Sequence, residues 1–224
     1  MAAYDVYKVV SGVETLVATV TAPAVTVAVT DLTASTAYSF VVKARDAANN
    51  VSASSTAVAV TTLAAPVWWK ISTATTGGGS ATYCTDGDMT TLTVPDNSTS
   101  VILYSCKTTG YDNQRWQKAN PTTVGGVTYF NLVAKYAPSF MWQASTVQNS
   151  AVVTLNNGSV GDATRQWSQV AVSGSGASTL YQIKNRSTGQ CVTRTNSPAN
   201  LVQLQLQSCN TNSTSQRFTF TEGN

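Results

Sequence analysis

The chain has 224 residues, only 10% of them charged, and a formal net charge of +3. A charge this small, without a basic cluster, argues against nucleic acid or an anionic membrane surface as a partner. The apolar runs are too short for membrane insertion, and the length suits one large domain or two small ones.

The chain contains four cysteines and no histidine. The cysteines lack CxxC spacing, and without histidine a zinc site is poorly supplied, so we expect no metal and no other cofactor. An even number of widely spaced cysteines favours two disulfides, which form in secreted, extracellular proteins. The sequence does not open with a signal peptide, so we expect that a leader lay upstream of it. The absence of histidine also removes the commonest general base and the usual catalytic triads.

Residues 1–63 show the alternation of short β-strands. Val and Thr recur with a period of two, and polar turn residues separate the runs. No helical periodicity is present, and strands at near-regular spacing predict a β-sandwich. The predicted strands span residues 4–9, 14–20, 25–29, 39–45 and 57–61.

One pair of residues makes this prediction more specific, because Leu32 lies six residues before Tyr38, just ahead of the fourth predicted strand. This spacing looks like a tyrosine corner, in which the phenol bonds to backbone a few residues upstream. Together with residues 44–52 and the run Tyr4-Asp5-Val6-Tyr7, it resembles a fibronectin type III domain. The resemblance implies a β-sandwich over residues 1–63, with the Tyr4 run as the third strand of that family.

The first two strands of the fibronectin family have no counterpart before Met1. A sandwich without them would have an unpaired edge and half a core. We therefore expect the chain to be the C-terminal part of a longer polypeptide. Alternatively, a partner or the second domain supplies the missing strands. Residues 64–66 carry no alternation and end in proline, which predicts a short linker.

Residues 67–224 contain a threefold repeat. Trp116, Trp167 and Phe218 follow one another at intervals of 51 residues, and each lies two residues after a long polar side chain. Upstream of each, a strand begins with an aromatic residue two positions before a branched aliphatic one, at 69–71, 130–132 and 181–183. Three β-rich units that each bury one aromatic around a common axis predict a closed barrel with a cap.

The same region resembles the ricin-type β-trefoil lectins, which are also grouped as carbohydrate-binding modules. The resemblance is carried by the Gln-x-Trp repeat and by the layout Cys-x-Asp, aromatic-x-Cys and Asn-Gln-x-Trp between Cys84 and Trp116. It implies three repeats, at about 67–117, 118–169 and 170–224. It also implies two disulfides, Cys84–Cys106 and Cys191–Cys209. The predicted fold class is therefore all-β, an incomplete fibronectin type III-like β-sandwich followed by a β-trefoil.

The first repeat carries all the side chains of a sugar site. A sugar needs an aromatic face for the C–H side of its ring, and planar donors and acceptors for its hydroxyls. In family members with a working site, these groups stand at the positions that here hold Asp86, Tyr104, Asn113 and Gln114. The position two residues before the aromatic is often polar in the family and is Ile102 here, so we expect weaker binding. Singly, each of the four also suits a structural role in a turn, a strand, a cap or the orientation of neighbours.

The other two repeats lack this combination. In the third, the positions of the Asp, the aromatic and the Asn hold Thr193, Gln207 and Ser215. In the second, which has Met141 near the cysteine position, Gln143 falls near the Asp position. Either Asn156 or Asn157 falls near the aromatic position of that repeat. Trp142 is off-pattern, and we expect it to pack in the core or at its rim. We therefore predict one principal site, in the first repeat.

No catalytic constellation accompanies this site. Glycoside hydrolysis normally needs two carboxylates flanking the bond, and the only close acids, Asp86 and Asp88, have ordinary turn spacing. The sequence predicts a non-catalytic module that targets an upstream domain of the same polypeptide, a glycoside hydrolase or similar enzyme, to a galactose-, xylose- or glucose-type polysaccharide. The alternative is an adhesion or protein-interaction scaffold with a degenerate trefoil that binds no sugar.

Overall fold

The structure is a computed structural model that describes residues 2–74, 82–88, 95–109, 112–195 and 199–223. It is all-β, as the sequence predicts, and within the described ranges the only helical elements are short 3₁₀ turns. The chain divides into two compact units, Met1–Pro66 and Val67–Asn224. None of the described segments forms a helix long and apolar enough to cross a membrane.

The first unit is a four-stranded antiparallel sheet. Its strands are β1 (Ala3–Val10), β2 (Val13–Thr21), β3 (Ala37–Arg45) and β4 (Val58–Thr61). Their spatial order is β2-β1-β3-β4. The β1–β2 hairpin turns at Ser11 and Gly12, whose φ angles are 50° and 80°. Positive φ at both central positions matches the twist of a two-residue hairpin, and glycine adopts it without steric cost.

Two side-chain networks hold this sheet together. Asp5, which is 4% exposed, accepts hydrogen bonds from Thr19 Oγ1 on β2 at 2.7 Å and from Arg45 Nε and Nη2 on β3 at 3.0 Å each. These bonds lower the pKa of Asp5, with the bond from Thr19 contributing most. At the start of β3, the Tyr38 hydroxyl accepts a hydrogen bond from the Thr33 backbone N–H at 2.8 Å. This is the contact expected of a tyrosine corner.

The strand predicted at residues 25–29 does not form, and that prediction was wrong. These residues alternate in sequence, but none of them pairs with another described strand. Val25 is 78% exposed. A strand needs a neighbouring backbone to pair with its N–H and C=O groups. Alternation of side chains without that partner therefore leaves the segment irregular.

The second unit is a closed barrel with a cap of three hairpins. Its strands are β5 (Trp68–Thr73), β6 (Tyr83–Gly87), β7 (Val101–Ser105), β8 (Trp116–Val124), β9 (Val127–Ala134), β10 (Met141–Val147), β11 (Ser150–Asn156), β12 (Trp167–Ser173), β13 (Leu180–Asn185), β14 (Cys191–Thr193), β15 (Val202–Gln203), β16 (Gln205–Gln207) and β17 (Phe218–Glu222). The barrel strands pair in the order β5-β8-β9-β12-β13-β17, and β17 pairs back onto β5. This ring gives each barrel strand two neighbours, which protects the sheet edges.

The cap consists of the antiparallel pairs β6–β7, β10–β11 and β14–β16. Neighbouring hairpins touch through the pairs β11–β16 and β7–β15. Each repeat thus contributes two barrel strands and one cap hairpin, which is the architecture of a β-trefoil. Both predicted disulfides, Cys84–Cys106 and Cys191–Cys209, are present and tie the first and third cap hairpins.

The core lies inside the barrel and under the cap. Trp116, Trp167 and Phe218, the three aromatics of the repeat, have no exposed surface, which confirms their predicted role in the core. Trp142 is equally buried, and its ring meets those of Trp116 and Trp167 edge-on at centroid distances of 5.2 and 6.0 Å. Edge-to-face packing of large rings is a favourable arrangement. Trp142 is therefore a core residue.

Candidate ligand-binding site

The candidate site lies on the first cap hairpin, β6–β7. The antiparallel register pairs Cys84 with Tyr104 and Asp86 with Ile102. Cross-strand partners, and residues two apart on one strand, share a face of a hairpin. The Cys84 disulfide, Asp86 and Tyr104 therefore lie on the same face. The following 3₁₀ turn, Asp112–Gln114, brings two amide side chains into contact with Asp86.

The carboxylate of Asp86 is bonded by both of these amides. Asn113 Nδ2 donates to Asp86 Oδ1 at 2.7 Å, and Gln114 Nε2 donates to Asp86 Oδ2 at 2.9 Å. Each carboxylate oxygen can accept two hydrogen bonds, and among the described residues each accepts one from a side chain. The fold thus brings three of the four predicted site residues into one hydrogen-bonded group.

The environment of Asp86 changes its acidity. Asp86 is buried in the hairpin, with only 3% of the residue exposed to solvent. Burial raises the pKa of Asp86 to about 6, and the hydrogen bonds from Gln114 and Asn113 and the charge of Lys107 oppose that rise. The negative charge of Asp88 adds to the rise. Asp86 is therefore ionised at neutral pH and takes up a proton in mildly acidic solution.

Gln114 has no exposed surface and links three parts of the hairpin. Besides its bond to Asp86, its Nε2 donates to Ser105 O at 3.2 Å, and its Oε1 accepts from the Lys107 backbone N–H at 3.0 Å. The side chain sets the position of the Asp86 carboxylate.

The third repeat contains the same glutamine network. Gln216 Nε2 donates to Thr193 Oγ1 and to Ser208 O, both at 3.0 Å. Gln216 Oε1 accepts from the Asn210 backbone N–H at 2.8 Å. Thr193 replaces Asp86 in this network, and the backbone contacts are equivalent, while Gln216 Oε1 also accepts from Gln182 Nε2 at 2.9 Å. The glutamine is therefore a feature of the fold, and the carboxylate is a feature of the first repeat.

Tyr104 is partly exposed on the face that it shares with Asp86. Lys107 Nζ lies 4.8 Å from the centroid of the Tyr104 ring, within the range of a cation–π contact. The charge of Lys107 also favours the ionised form of Asp86. A ligand stacked on Tyr104 would therefore meet a cation as well as the carboxylate.

Tyr136 also lies beside Asp86, although the sequence argument missed it. Its hydroxyl is buried and has no hydrogen-bond partner among the described residues. It packs so closely on Gly87 that a Cβ there would collide with it. Burial raises the pKa of Tyr136, and the negative charges of Asp86 and Asp88 raise it further. Tyr136 follows β9 in the second repeat, and no repeat position signals it.

The other repeats place different side chains at the equivalent positions. The β10–β11 register pairs Met141 with Asn156, so Asn156 rather than Asn157 corresponds to Tyr104. In the third repeat, Cys191 pairs with Gln207, which is the counterpart there. Neither an asparagine nor a glutamine offers a ring for stacking. The arrangement of carboxylate and aromatic is specific to the first hairpin within the described cap.

Comparisons with known proteins relate the chain to glycan-active enzymes. No family model matches it. It is 36% identical over 166 residues to Exoglucanase B of Cellulomonas fimi, a match that covers 71% of this chain and 13% of the relative. It is 42% identical over 85 residues to Chitinase A1 of Niallia circulans, covering 36% of this chain and 11% of the relative. The chain spans only 6% to 13% of the length of the curated relatives it matches.

Among solved structures, the chain is similar to the designed threefold symmetric protein ThreeFoil. The TM-score is 0.51 at 21% identity, and the match covers 68% of this chain and 96% of ThreeFoil. At this identity the likeness concerns the fold alone. It agrees with the threefold arrangement of barrel strands and cap hairpins in the second unit.

Proposed function

We propose that the chain is a carbohydrate-binding module of a secreted, glycan-active protein, with its main sugar site in the first trefoil repeat. The observation that carries this proposal is the Asp86 carboxylate, which is buried yet bonded by two side-chain amides. A buried carboxylate costs free energy unless hydrogen bonds offset the lost water. The fold does not require a carboxylate at this position, since Thr193 occupies the equivalent position in the third repeat.

Each site residue has a distinct role in this proposal. Asp86 accepts hydrogen bonds from neighbouring hydroxyls of the sugar, and Asn113 donates and accepts beside it. Tyr104 supports the C–H face of the ring, while Gln114 positions Asp86 from the interior. Buried Ile102 adds no polar contact. We expect a binding free energy of about −4 to −6 kcal/mol, which corresponds to sub-millimolar affinity.

The relatives indicate the setting of such a module. They are an exoglucanase and a chitinase, and the chain matches only a small part of each. This chain is accordingly a non-catalytic accessory module. A module bound to an insoluble polysaccharide raises the effective concentration of a linked catalytic domain at that surface. We infer that glucan and chitin are the first polymers to test, followed by galactose- and xylose-type polymers.

The first unit is proposed to be a fibronectin type III-like spacer of that enzyme. Its strand order, β2-β1-β3-β4, is the order C′-C-F-G of immunoglobulin-like sandwiches. Tyr38 stands at the start of β3, which takes the place of strand F. A tyrosine corner belongs at that position. The sheet order and the corner support the assignment independently of each other.

The substitution Asp86→Ala tests the sugar site. We expect it to abolish retention on insoluble polysaccharide and to leave the melting temperature within a few degrees of the parent value, because the glutamine network remains. Tyr104→Ala should weaken retention at least tenfold. The matched control is Thr193→Ala in the third repeat, which should retain full binding. Pull-down on cellulose, chitin, xylan and galactan, followed by a glycan array, provides the measurement.

Two results would contradict this proposal. Unfolding of the Asp86→Ala variant would give the carboxylate a structural role. Silence of the parent protein across all polymers and the array would favour the adhesion or protein-interaction scaffold.

A further inference from the structure

A cleft of about 370 Å³ is lined mainly by residues of the barrel strands β5, β8, β12, β13 and β17. Its walls include Trp69, Lys118, Gln169, Tyr181, Phe220 and Glu222. Lys118, Gln169 and Phe220 stand two residues after the core aromatics of the three repeats and so occupy equivalent positions. Trp69 and Tyr181 are the aromatics that open the first and third repeats. This volume lies within the range of about 300–1,000 Å³ that is typical of small-molecule sites.

Lys118 is the distinctive residue of this cleft, because Gln169 and Phe220 take its place in the other repeats. Its Nζ lies 4.2 Å from the ring centroid of Trp69, 4.5 Å from that of Phe220 and 5.6 Å from that of Phe130. It donates one hydrogen bond, to Gln169 Oε1 at 2.6 Å. Aromatic faces attract a cation but do not neutralise it.

The charge of Lys118 has no counter-ion within the described part of the chain, where no carboxylate lies within 4.0 Å of its Nζ. Burial lowers the pKa of Lys118 to about 8, which reflects that uncompensated charge. Two of its three N–H donors make no hydrogen bond to a described residue. The other ionisable groups of the cleft are Tyr181 and Glu222, and Glu222 lies at the exposed rim.

We propose that this cleft is a second ligand site that binds an organic carboxylate attached to a ring, with a uronic acid as the sugar that fits best. The ammonium of Lys118 bonds the carboxylate, Gln169 bonds a hydroxyl, and the rings of Trp69 and Tyr181 contact the C–H faces. A phosphate would meet the cation but would leave the aromatic walls uncovered. The site shares no residue with the Asp86 hairpin, so it goes beyond the proposed function and stands without it.

Calorimetric titration with methyl glucuronide and methyl glucoside tests the proposal, because the two probes differ only in the carboxylate. At pH 6.5 we expect the glucuronide to bind at least tenfold more tightly than the glucoside. The preference should fall as the pH rises above about 8, because unliganded Lys118 loses its charge there. Lys118→Met should remove the preference, and Asp86→Ala should retain it. Lys107→Met is the matched control, because it removes a cation from the other site and should leave the preference intact.

Equal affinity for the two methyl glycosides would overturn the proposal, as would a preference that survives in Lys118→Met. Loss of the preference in Lys107→Met or Asp86→Ala would locate the binding at the first hairpin and also overturn it. Acetate that binds as tightly as the glucuronide would exclude the ring contacts. If Lys118→Met failed to fold, Lys118→Gln would take its place, and a preference that survives in that variant would overturn the proposal.

Discussion

At the scale of single residues, the first and third repeats share a glutamine hydrogen-bond network but place different side chains, Asp86 and Thr193, at one position of it. Asp86 and Thr193 accept a hydrogen bond from equivalent glutamines, Gln114 and Gln216. The threonine carries no charge, and its Oγ1 also donates to Cys191 O at 3.0 Å. The aspartate introduces a buried charge and also accepts a hydrogen bond from Asn113. In the proposed function, this single residue separates a structural position from a binding position.

The pH dependence of sugar binding follows from the pKa of Asp86, which burial raises to about 6. Because the ionised carboxylate is the acceptor in the proposed site, affinity should rise with pH and level off above about pH 7. Below pH 6 it should fall up to tenfold per pH unit. Binding isotherms between pH 4.5 and pH 8 measure this change. A flat profile would contradict the role of the carboxylate.

The stability of the second unit should show the opposite trend. The pKa of Asp86 is higher in the folded protein than its ordinary value of 3.8, so the folded state binds this proton more tightly. The stabilisation is complete below about pH 4 and is lost as the pH rises through 6, by at most about 3 kcal/mol. Denaturant unfolding at pH 4 and pH 7 should show this loss in the parent protein, and Asp86→Ala should lack that component.

At the scale of elements, the first and third cap hairpins are each joined by a side chain to the 3₁₀ turn that follows them. In the first and third repeats, a buried glutamine provides that bridge with equivalent backbone contacts. In the second repeat, Arg165 stands at the glutamine position, and its Nη1 donates to Ser159 O at 3.1 Å and to Asp162 Oδ2 at 3.0 Å. Both acceptors lie after the second hairpin, which ends at Asn156, so these bonds stabilise the turn itself.

Substitution of the two glutamines separates folding from binding. Gln114→Ala and Gln216→Ala should each destabilise the second unit by about 1–3 kcal/mol, because each leaves buried polar groups unpaired. Only Gln114→Ala should also weaken sugar binding, since only Gln114 positions Asp86. Urea unfolding and polysaccharide pull-down on the same samples measure both effects. Loss of binding in folded Gln216→Ala would show that the third repeat contributes to the site.

At the scale of the whole molecule, the repeats depend on one shared core. Trp142 from the second cap hairpin packs between Trp116 of the first repeat and Trp167 of its own. A cap hairpin cannot bury such a ring alone, since it has only two strands and no second layer to pack against. The core therefore couples the stability of the three repeats, while each hairpin can change its outward face independently.

Substitution of Trp142 tests this coupling. Trp142→Ala should cost about 3–5 kcal/mol, because it leaves a large cavity in the core. Trp142→Phe should cost much less, since Trp142 Nε1 has no hydrogen-bond partner among the described residues. Folded Trp142→Phe should retain full sugar affinity, measured by calorimetry. A folded variant that lost binding would place this ring in a ligand site.

The sequence by itself determined the features that depend on spacing. The interval of 51 residues identified the three core aromatics, and the cysteine pattern implied both disulfides through the family resemblance. The same spacing placed Asp86, Asn113 and Gln114 near one another, because a hairpin and its following turn are local structures. The role of these residues in sugar binding stays a prediction.

Only the tertiary structure decided the features that depend on contacts between distant strands. Closure of the barrel brings Trp69, Lys118 and Phe220 together, and packing of the repeats sets Tyr136 against Gly87. The packing around Gln114 leaves its side chain with no exposed surface. Residues 25–29 form no strand, because no described strand pairs with them. Spacing along a chain specifies local geometry. Burial, charge compensation and strand pairing depend instead on which distant segments of the chain pack against a residue.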